Sequence, residues 1–351
     1  MHIPDGYLSP ATCATLYAVS APFWYVAGQK LKGLLSARTV PLLSLFSAFS
    51  FVVMMFNIPL PGGTTGHAVG AALMAIVLGP WAAVVGVSVA LAIQALLFGD
   101  GGILALGANS FNMAIAMPFV AYGVYSALAG SSALESPRRP VAAAIAGYLA
   151  INVAGLLTAV ELGLQPLLFQ ANGAPLYFPY GLSVALPAMV IPHLLVAGFA
   201  EALVAGLVVA YLQRAHRPLL ELRQPANALH GGGRERGVRA TDRRRLGVLW
   251  IGLAVIVLIT PLGLLAPGGA WAEWSADEVE QLVGAVPAGM QSLMSFWSAP
   301  IPDYAIPGLE GSFGSQSLGY VLSGLIGVGL VVLASWLFGK LSRGKNVGRT
   351  P

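Results

Sequence analysis

Histidine chemistry at the start of the chain is the most specific feature of this sequence. His2 lies one residue from the terminal α-amine of Met1. That amine, the His2 amide nitrogen and the His2 imidazole can close two fused chelate rings on one metal ion, provided that the metal displaces the amide proton. Three coplanar nitrogens with one open corner suit Ni(II) or Cu(II), whereas tetrahedral zinc fits such a set poorly. The Met1-His2 pair is therefore a candidate nitrogen site for a divalent transition metal, although a histidine at position 2 by itself is usually accidental.

A second histidine, His67, could complete this nitrogen set. It ends the glycine-rich run 61–67, whose backbone can approach the N-terminal segment closely because glycine has no side chain. Thr64 and Thr65 in that run can contribute supporting hydrogen bonds, and Asp5 is a candidate acceptor for orienting the first imidazole. The sequence thus predicts two imidazole ligands with hydrogen-bonding support nearby.

Two other interpretations of the polar residues stay open. His193 lies two helical turns from Glu201, so the pair could share a face and serve an intramembrane metalloenzyme. An interhelical hydrogen bond is the simpler role for His193, and a structural subunit that binds no metal is the third alternative. The sequence lacks a phosphate-binding Gly-x-x-x-x-Gly-Lys-Ser/Thr loop and the common hydrolase motifs. We therefore predict that the chain is not an enzyme and does not itself hydrolyse ATP.

Composition places these residues in a membrane protein. Of the 351 residues, 57% are hydrophobic and 9% charged, which is too little charge for an ordinary water-facing surface. The single cysteine, Cys13, excludes an internal disulfide. We predict an all-α integral membrane fold, a seven-span helical bundle followed by a two-span helical module, from apolar runs near 11–29, 39–57, 68–79, 81–98, 110–130, 140–160, 183–212, 246–265 and 318–339.

Basic residues predict the orientation of these spans. With the N-terminus outside, all 18 lysines and arginines fall in cytoplasmic segments, as the positive-inside rule requires. The start has no basic residue before the first apolar run, so we expect no cleaved signal and a retained Met1. The predicted location is the cell membrane, with the N-terminus extracytoplasmic, the C-terminus cytoplasmic, and the lipid bilayer rather than nucleic acid as the partner of the basic segments.

Three segments follow from this layout. Residues 1–212 form a predicted metal-capture module, and residues 213–245, rich in arginine and glycine, form a basic cytoplasmic linker. Residues 246–351 form a two-span accessory module. Its outer loop, 266–317, is too long to be a simple connection.

Two motifs resemble a known family. The opening Met1-His2-Ile3-Pro4-Asp5-Gly6, with Leu8, and the run Pro61-Gly62-Gly63-Thr64-Thr65-Gly66-His67 are similar to the signatures of the CbiM/NikM family. Its members are substrate-binding subunits of energy-coupling-factor cobalt and nickel transporters. The similarity covers roughly residues 1–215, and the segment around Pro302-Asp303-Tyr304 resembles the family's two-span accessory subunit.

The resemblance implies a function and a set of partners. It implies that Met1, His2 and His67 bind transported Ni²⁺ or Co²⁺, with no permanently bound cofactor. It also implies that Asn109 and Asn112, in a family-like stretch, lie in a loop packed over the site. The expected partners are a separate membrane scaffold subunit and an ATP-binding cassette ATPase that powers import.

Overall fold

Helices account for nearly all regular structure in this chain. The computed structural model describes residues 1–34, 39–215, 217–220, 240–266 and 269–342. The predicted all-α membrane fold is confirmed, and the only strands among those residues form two short hairpins, β1–β2 (Ile58–Leu60 and Thr64–Gly66) and β3–β4 (Gln170–Ala171 and Ala174–Pro175). The α-helices are α1 Pro10–Leu34, α2 Thr39–Met54, α3 Ala71–Leu78, α4 Pro80–Ile93, α5 Leu106–Asn109, α6 Met117–Ala129, α7 Arg138–Gly163, α8 Gln165–Leu168, α9 Leu182–Pro192, α10 Gly198–Ala215, α11 Arg217–Leu220, α12 Ala240–Ile259, α13 Ala276–Val283, α14 Ala288–Met294 and α15 Phe313–Ser342.

Six helical stretches of the described chain are long and apolar enough to cross a membrane. Every one of the nine apolar runs contains helix, but α2 has 16 residues and α3 only 8, and α1 is less apolar than the six. The total of seven plus two spans therefore stays a prediction. The six stretches are Pro80–Phe98, Leu106–Ala129, Arg138–Leu168, Leu182–Ala215, Leu246–Leu265 and Phe313–Lys340.

Three of the long stretches contain a π-helical segment. A π-helix widens the turn by one residue, and such segments are frequent at functional sites because they re-aim side chains. Two of these segments lie before and after the stretch 99–109, which comprises a loop and α5, and the third segment begins at His193. The segments are Gln94–Phe98, Ser110–Ala116 and His193–Ala197.

The N-terminal segment folds back into the protein instead of extending into solvent. Ile3, Tyr7 and Leu8 are almost fully buried, in one apolar cluster with residues of the loop 266–312. Gly6 allows this path, because its φ is +90° and a side chain there would meet the Met290 carbonyl oxygen at 2.6 Å. Burial of these side chains holds the first residues in one place.

The two C-terminal long helices pack against the N-terminal bundle. α15 lies along α2, and the Tyr320 hydroxyl donates to the Met55 carbonyl oxygen at 2.8 Å. Between α11 and α12, residues 221–239 of the predicted basic linker lie outside the described residues. The loop 266–317 contains α13 and α14, and α15 begins at Phe313, five residues before the predicted span. The three predicted segment boundaries stay predictions.

Substitution of Gly327 by alanine is expected to weaken this packing. A methyl group there would overlap the ring of Phe51 on α2, whereas a methyl group at Gly329, on the same helix, would have no neighbour within 4 Å. Overpacking should lower the stability by about 1–3 kcal/mol for Gly327→Ala. Thermal unfolding in detergent checks this, with Gly329→Ala as the control. Equal losses in the two variants would contradict the close approach of α15 to α2.

Candidate metal centre

A single asparagine holds the backbone just after His2. The Asn109 side-chain oxygen accepts from the Ile3 amide at 2.8 Å, and its amide nitrogen donates to the Ile3 carbonyl oxygen at 3.1 Å. The Gly102 amide donates to the same carbonyl at 2.8 Å. Asn109 lies at the end of α5, just before the π-helix Ser110–Ala116. Together, Asn109 and the Gly102 amide therefore bind both the amide and the carbonyl of Ile3, the residue after His2.

The carboxylate beside His2 is Asp100, and the prediction that Asp5 orients this imidazole is corrected. Asp5 instead accepts from three main-chain amides of the loop 99–105: Ile103 at 3.1 Å, Leu104 at 2.7 Å and Ala105 at 3.4 Å. Burial raises the Asp5 pKa, and these hydrogen bonds only partly offset the effect. The chain turns at Asp5 and Gly6, and the Asp5 carboxylate is already used by the amides of that loop.

His2 and His67 lie against each other. Their ring centroids are 4.9 Å apart with 30° between the ring planes, and both residues are buried. His67 Nδ1 lies 3.1 Å from the Ala68 carbonyl oxygen, which can only accept, so this nitrogen carries the proton and Nε2 keeps its lone pair. His67 Nε2 is buried without a hydrogen-bond partner. A buried nitrogen with a free lone pair is a ready metal ligand.

Charges around the two rings favour a neutral His67. Burial lowers its pKa well below the ordinary value, and the neighbouring His2 and terminal amine lower it further. His2 Nδ1 lies 2.8 Å from Asp100 Oδ1. Burial opposes ionisation of Asp100, but His2 and a hydrogen bond from Tyr304 more than compensate and lower its pKa. A neutral imidazole and an ionised carboxylate therefore surround the N-terminus.

The loop 266–312 closes over this group of residues. The Met1 terminal amine lies 3.2 Å from Glu273 Oε1 and forms an ion pair with it. The Tyr304 hydroxyl donates to Asp100 Oδ2 at 2.6 Å. The C-terminal part of the chain thus contacts both the terminal amine and the carboxylate beside His2.

The two threonines of the glycine-rich run also contact that loop. The Thr64 hydroxyl donates to the Gly269 carbonyl oxygen at 3.2 Å, and the Thr65 amide donates to the same oxygen at 3.3 Å. These hydrogen bonds differ from the predicted support of the imidazoles, because the short hairpin turns the hydroxyl of Thr64 towards the C-terminal loop. The threonines therefore position the hairpin that leads to His67.

Asn112, the last of the predicted supporting residues, contacts a different helix. Its amide nitrogen donates to Thr158 Oγ1 at 3.2 Å and to Glu161 Oε2 at 2.8 Å, both on α7. It thereby ties the π-helix Ser110–Ala116 to α7, one turn below Asn109. Asn109 and Asn112 thus lie on helical segments, which corrects the prediction of a loop packed over the site. Asn112 supports the π-helix through its contacts with α7.

Glu201 positions the main chain after His67. Its carboxylate accepts from the amides of Val69 at 2.7 Å, Gly70 at 3.0 Å and Ala72 at 3.4 Å, at the start of α3. A carboxylate at a helix N-terminus satisfies amides that have no partner within the helix. The sequence offered Glu201 only as a partner of His193, and Gly70, immediately before α3, signalled only that a helix could begin there.

His193 does not pair with Glu201. Its Nδ1 lies 2.7 Å from the Met189 carbonyl oxygen, one turn earlier, and the carboxylate of Glu201 is used by α3. In the described part of the chain, no three His, Cys, Asp or Glu side chains are grouped so that they could hold a metal by themselves.

Comparison with known families places two domains on the chain. The family described as cobalt uptake substrate-specific transmembrane region, CbiM, matches residues 2–219. A PDGLE domain matches residues 246–344. The second domain contains the loop that covers the N-terminus.

Two relatives extend over nearly the whole chain, and a solved structure matches about three fifths of it. The fused nickel transport protein NikMN of Rhodobacter capsulatus is 48% identical over 348 residues, covering 95% of each chain. The probable fused nickel transport protein LarMN of Lactiplantibacillus plantarum is 43% identical, covering 95% of this chain and 96% of its own. A crystal structure described as a truncated transition metal transporter is 57% identical with a TM-score of 0.57, and it covers 60% of this chain and 98% of its own.

Proposed function

Since this chain belongs to the CbiM family and carries a PDGLE domain after it, we propose that it captures Ni²⁺ or Co²⁺ on the outer side of the membrane for uptake. It is a multi-pass membrane metal-transport protein rather than an enzyme. We propose further that the metal is captured at the N-terminus of the chain. One observation carries it: the ring of His67, whose Nε2 is buried and unpartnered, stacks on the ring of His2, the residue that follows the terminal amine of Met1.

The proposed ligands are four nitrogens. Met1 supplies the amine, His2 its amide and Nδ1, and His67 its Nε2. A buried nitrogen without a hydrogen bond costs about 1–3 kcal/mol, and a metal bond removes that cost. All four are nitrogen donors, which suits Ni²⁺ and Co²⁺ better than Mg²⁺ or Ca²⁺.

Two existing contacts must be exchanged when the metal binds. The fused chelate uses His2 Nδ1, which lies against Asp100 in the structure, and the amine, which lies against Glu273. Release of both contacts leaves two carboxylates beside a new cation, so the charge of the bound ion is partly balanced. Asp100 and Glu273 are therefore proposed as the acidic groups that stabilise the cation electrostatically.

Energy for uptake is proposed to come from other subunits. The family is part of cobalt and nickel transporter complexes. In the proposed assembly a membrane scaffold subunit and an ATP-binding cassette ATPase of the energy-coupling-factor type drive import. The orientation inferred from the basic residues, with an extracytoplasmic N-terminus and a cytoplasmic C-terminus, places the capture site on the side from which the ion arrives.

Metal binding to the purified full-length chain tests this function. His67→Ala should weaken the affinity for Ni²⁺ and Co²⁺ by at least about 100-fold, because loss of groups that merely support a ligand already costs 10–100-fold. His230→Ala, a histidine of the basic segment, is the matched control and should bind as the unmodified protein does. Competition between the two ions on one sample names the preferred substrate. Unchanged affinity in His67→Ala would exclude the proposed site.

A further inference from the structure

His193 has a feature that the four-nitrogen site does not use. Its ring is buried at the first position of the π-helix His193–Ala197, and Nδ1 lies 2.7 Å from the Met189 carbonyl oxygen. A carbonyl accepts only, so Nδ1 carries the proton and the lone pair of the neutral ring is on Nε2. This is the same tautomer as that of His67.

A small cavity connects His193 with the proposed site. Its volume is about 10 Å³, and its walls include Met1, His67, His193 and Met189 together with Ala270 and Trp271 of the C-terminal loop. This is room for about one water-sized sphere. A dehydrated metal ion is no larger, so the cavity has room for one ion among the residues that line it. The remaining walls include the β1–β2 hairpin, which leads to His67.

We propose that His193 is a transfer ligand: its Nε2 binds the arriving Ni²⁺ or Co²⁺ in the cavity and passes it to the chelate of Met1, His2 and His67. This inference rests on the proposed function. The step is an exchange of one nitrogen ligand for another, with no change in oxidation state. No proton has to leave His193, because Nε2 already carries a lone pair.

The surroundings of His193 suit a transient ligand. The ring packs against α7 at Gly155, where a side-chain carbon would lie 3.1 Å from the ring. On one side Pro192 precedes the histidine, and on the other the π-helix interrupts the regular hydrogen bonding of the span. Such an interruption lets the local backbone shift at low cost. Ala270 and Trp271 also line the cavity, so the C-terminal loop borders it.

The experiment measures the rate and the equilibrium of nickel loading separately. Purified full-length protein is mixed rapidly with radioactive nickel, and bound metal is collected over time by rapid filtration. His193→Asn is the key variant, since its amide can still donate to the Met189 carbonyl but offers no nitrogen lone pair. We expect loading to slow about tenfold while the equilibrium affinity is retained, as for a change in the association step. His193→Ala should show the same slowing.

Other outcomes overturn the inference. Loading of His193→Asn at the unmodified rate would show that the Nε2 lone pair of His193 takes no part in loading. A loss of equilibrium affinity as large as that of His67→Ala would make His193 a permanent ligand instead of a transfer ligand. Failure of the proposed function gives a different result, because His67→Ala would then load and hold nickel as the unmodified chain does.

Discussion

An additional residue before Met1 is expected to abolish stoichiometric binding of Ni²⁺ and Co²⁺. The extension keeps every side chain but moves the terminal amine away from the His2 amide, so the five-membered chelate ring cannot close. Met1 is almost fully buried and its amine lies 3.2 Å from Glu273, so the extension also displaces a buried group. We expect the affinity to fall by more than about 100-fold. Equilibrium dialysis with metal analysis of the purified chain measures it.

Controls for the extension separate the amine from general damage. One added residue at the C-terminus should leave metal binding unchanged, and mass spectrometry of the intact chains verifies both extensions. His2→Ala should lose metal as the N-terminal extension does, because both remove donors of the same chelate. An extended protein that binds as tightly as the unmodified one would show that the amine is not a ligand.

Replacement of Glu201 by alanine should have the second large effect. Three main-chain amides, of Val69, Gly70 and Ala72, lose their acceptor in a buried place. Each buried donor without a partner costs about 1–3 kcal/mol. We expect a loss of several kcal/mol of stability and a weaker metal affinity, because the start of α3 fixes the main chain that follows His67. Thermal unfolding and metal binding in detergent measure the two effects.

Two further variants define the role of Glu201. Glu201→Gln keeps one oxygen acceptor, so its loss should be smaller than that of Glu201→Ala. Glu280→Ala removes an exposed carboxylate of α13 and should change neither quantity. If instead Glu201 belonged to an intramembrane enzyme with His193, substitution by glutamine would leave stability and metal binding intact.

The C-terminal domain contributes contacts to the candidate site. Glu273 contacts the terminal amine, and Tyr304 contacts the carboxylate beside His2. Gln94 donates to the same tyrosine hydroxyl at 3.0 Å, which fixes its position over the loop 99–105. Because the two domains are fused in one chain, the effective concentration of this loop near the N-terminus is high.

Much of the architecture and the candidate ligands could be predicted from the sequence. Hydropathy indicated the membrane fold, since a span needs a run of apolar residues that is visible in one dimension. The pair Met1-His2 was recognisable because the chelate is formed by neighbouring atoms of the chain. His67 was recognisable from its glycine-rich run, and the structure brings its ring to His2; metal binding by these residues stays a prediction.

Only the tertiary structure decided which acidic groups surround those ligands. Asp100 rather than Asp5 contacts His2, Glu273 contacts the amine, and Glu201 supports the segment after His67. These contacts join residues 98, 272 and 132 positions apart. A carboxylate binds whichever unsatisfied donors the packing brings to it, and sequence spacing does not specify those donors. The sequence by itself therefore determined the fold class and indicated the candidate nitrogen donors, whereas helix packing determined the charges around them.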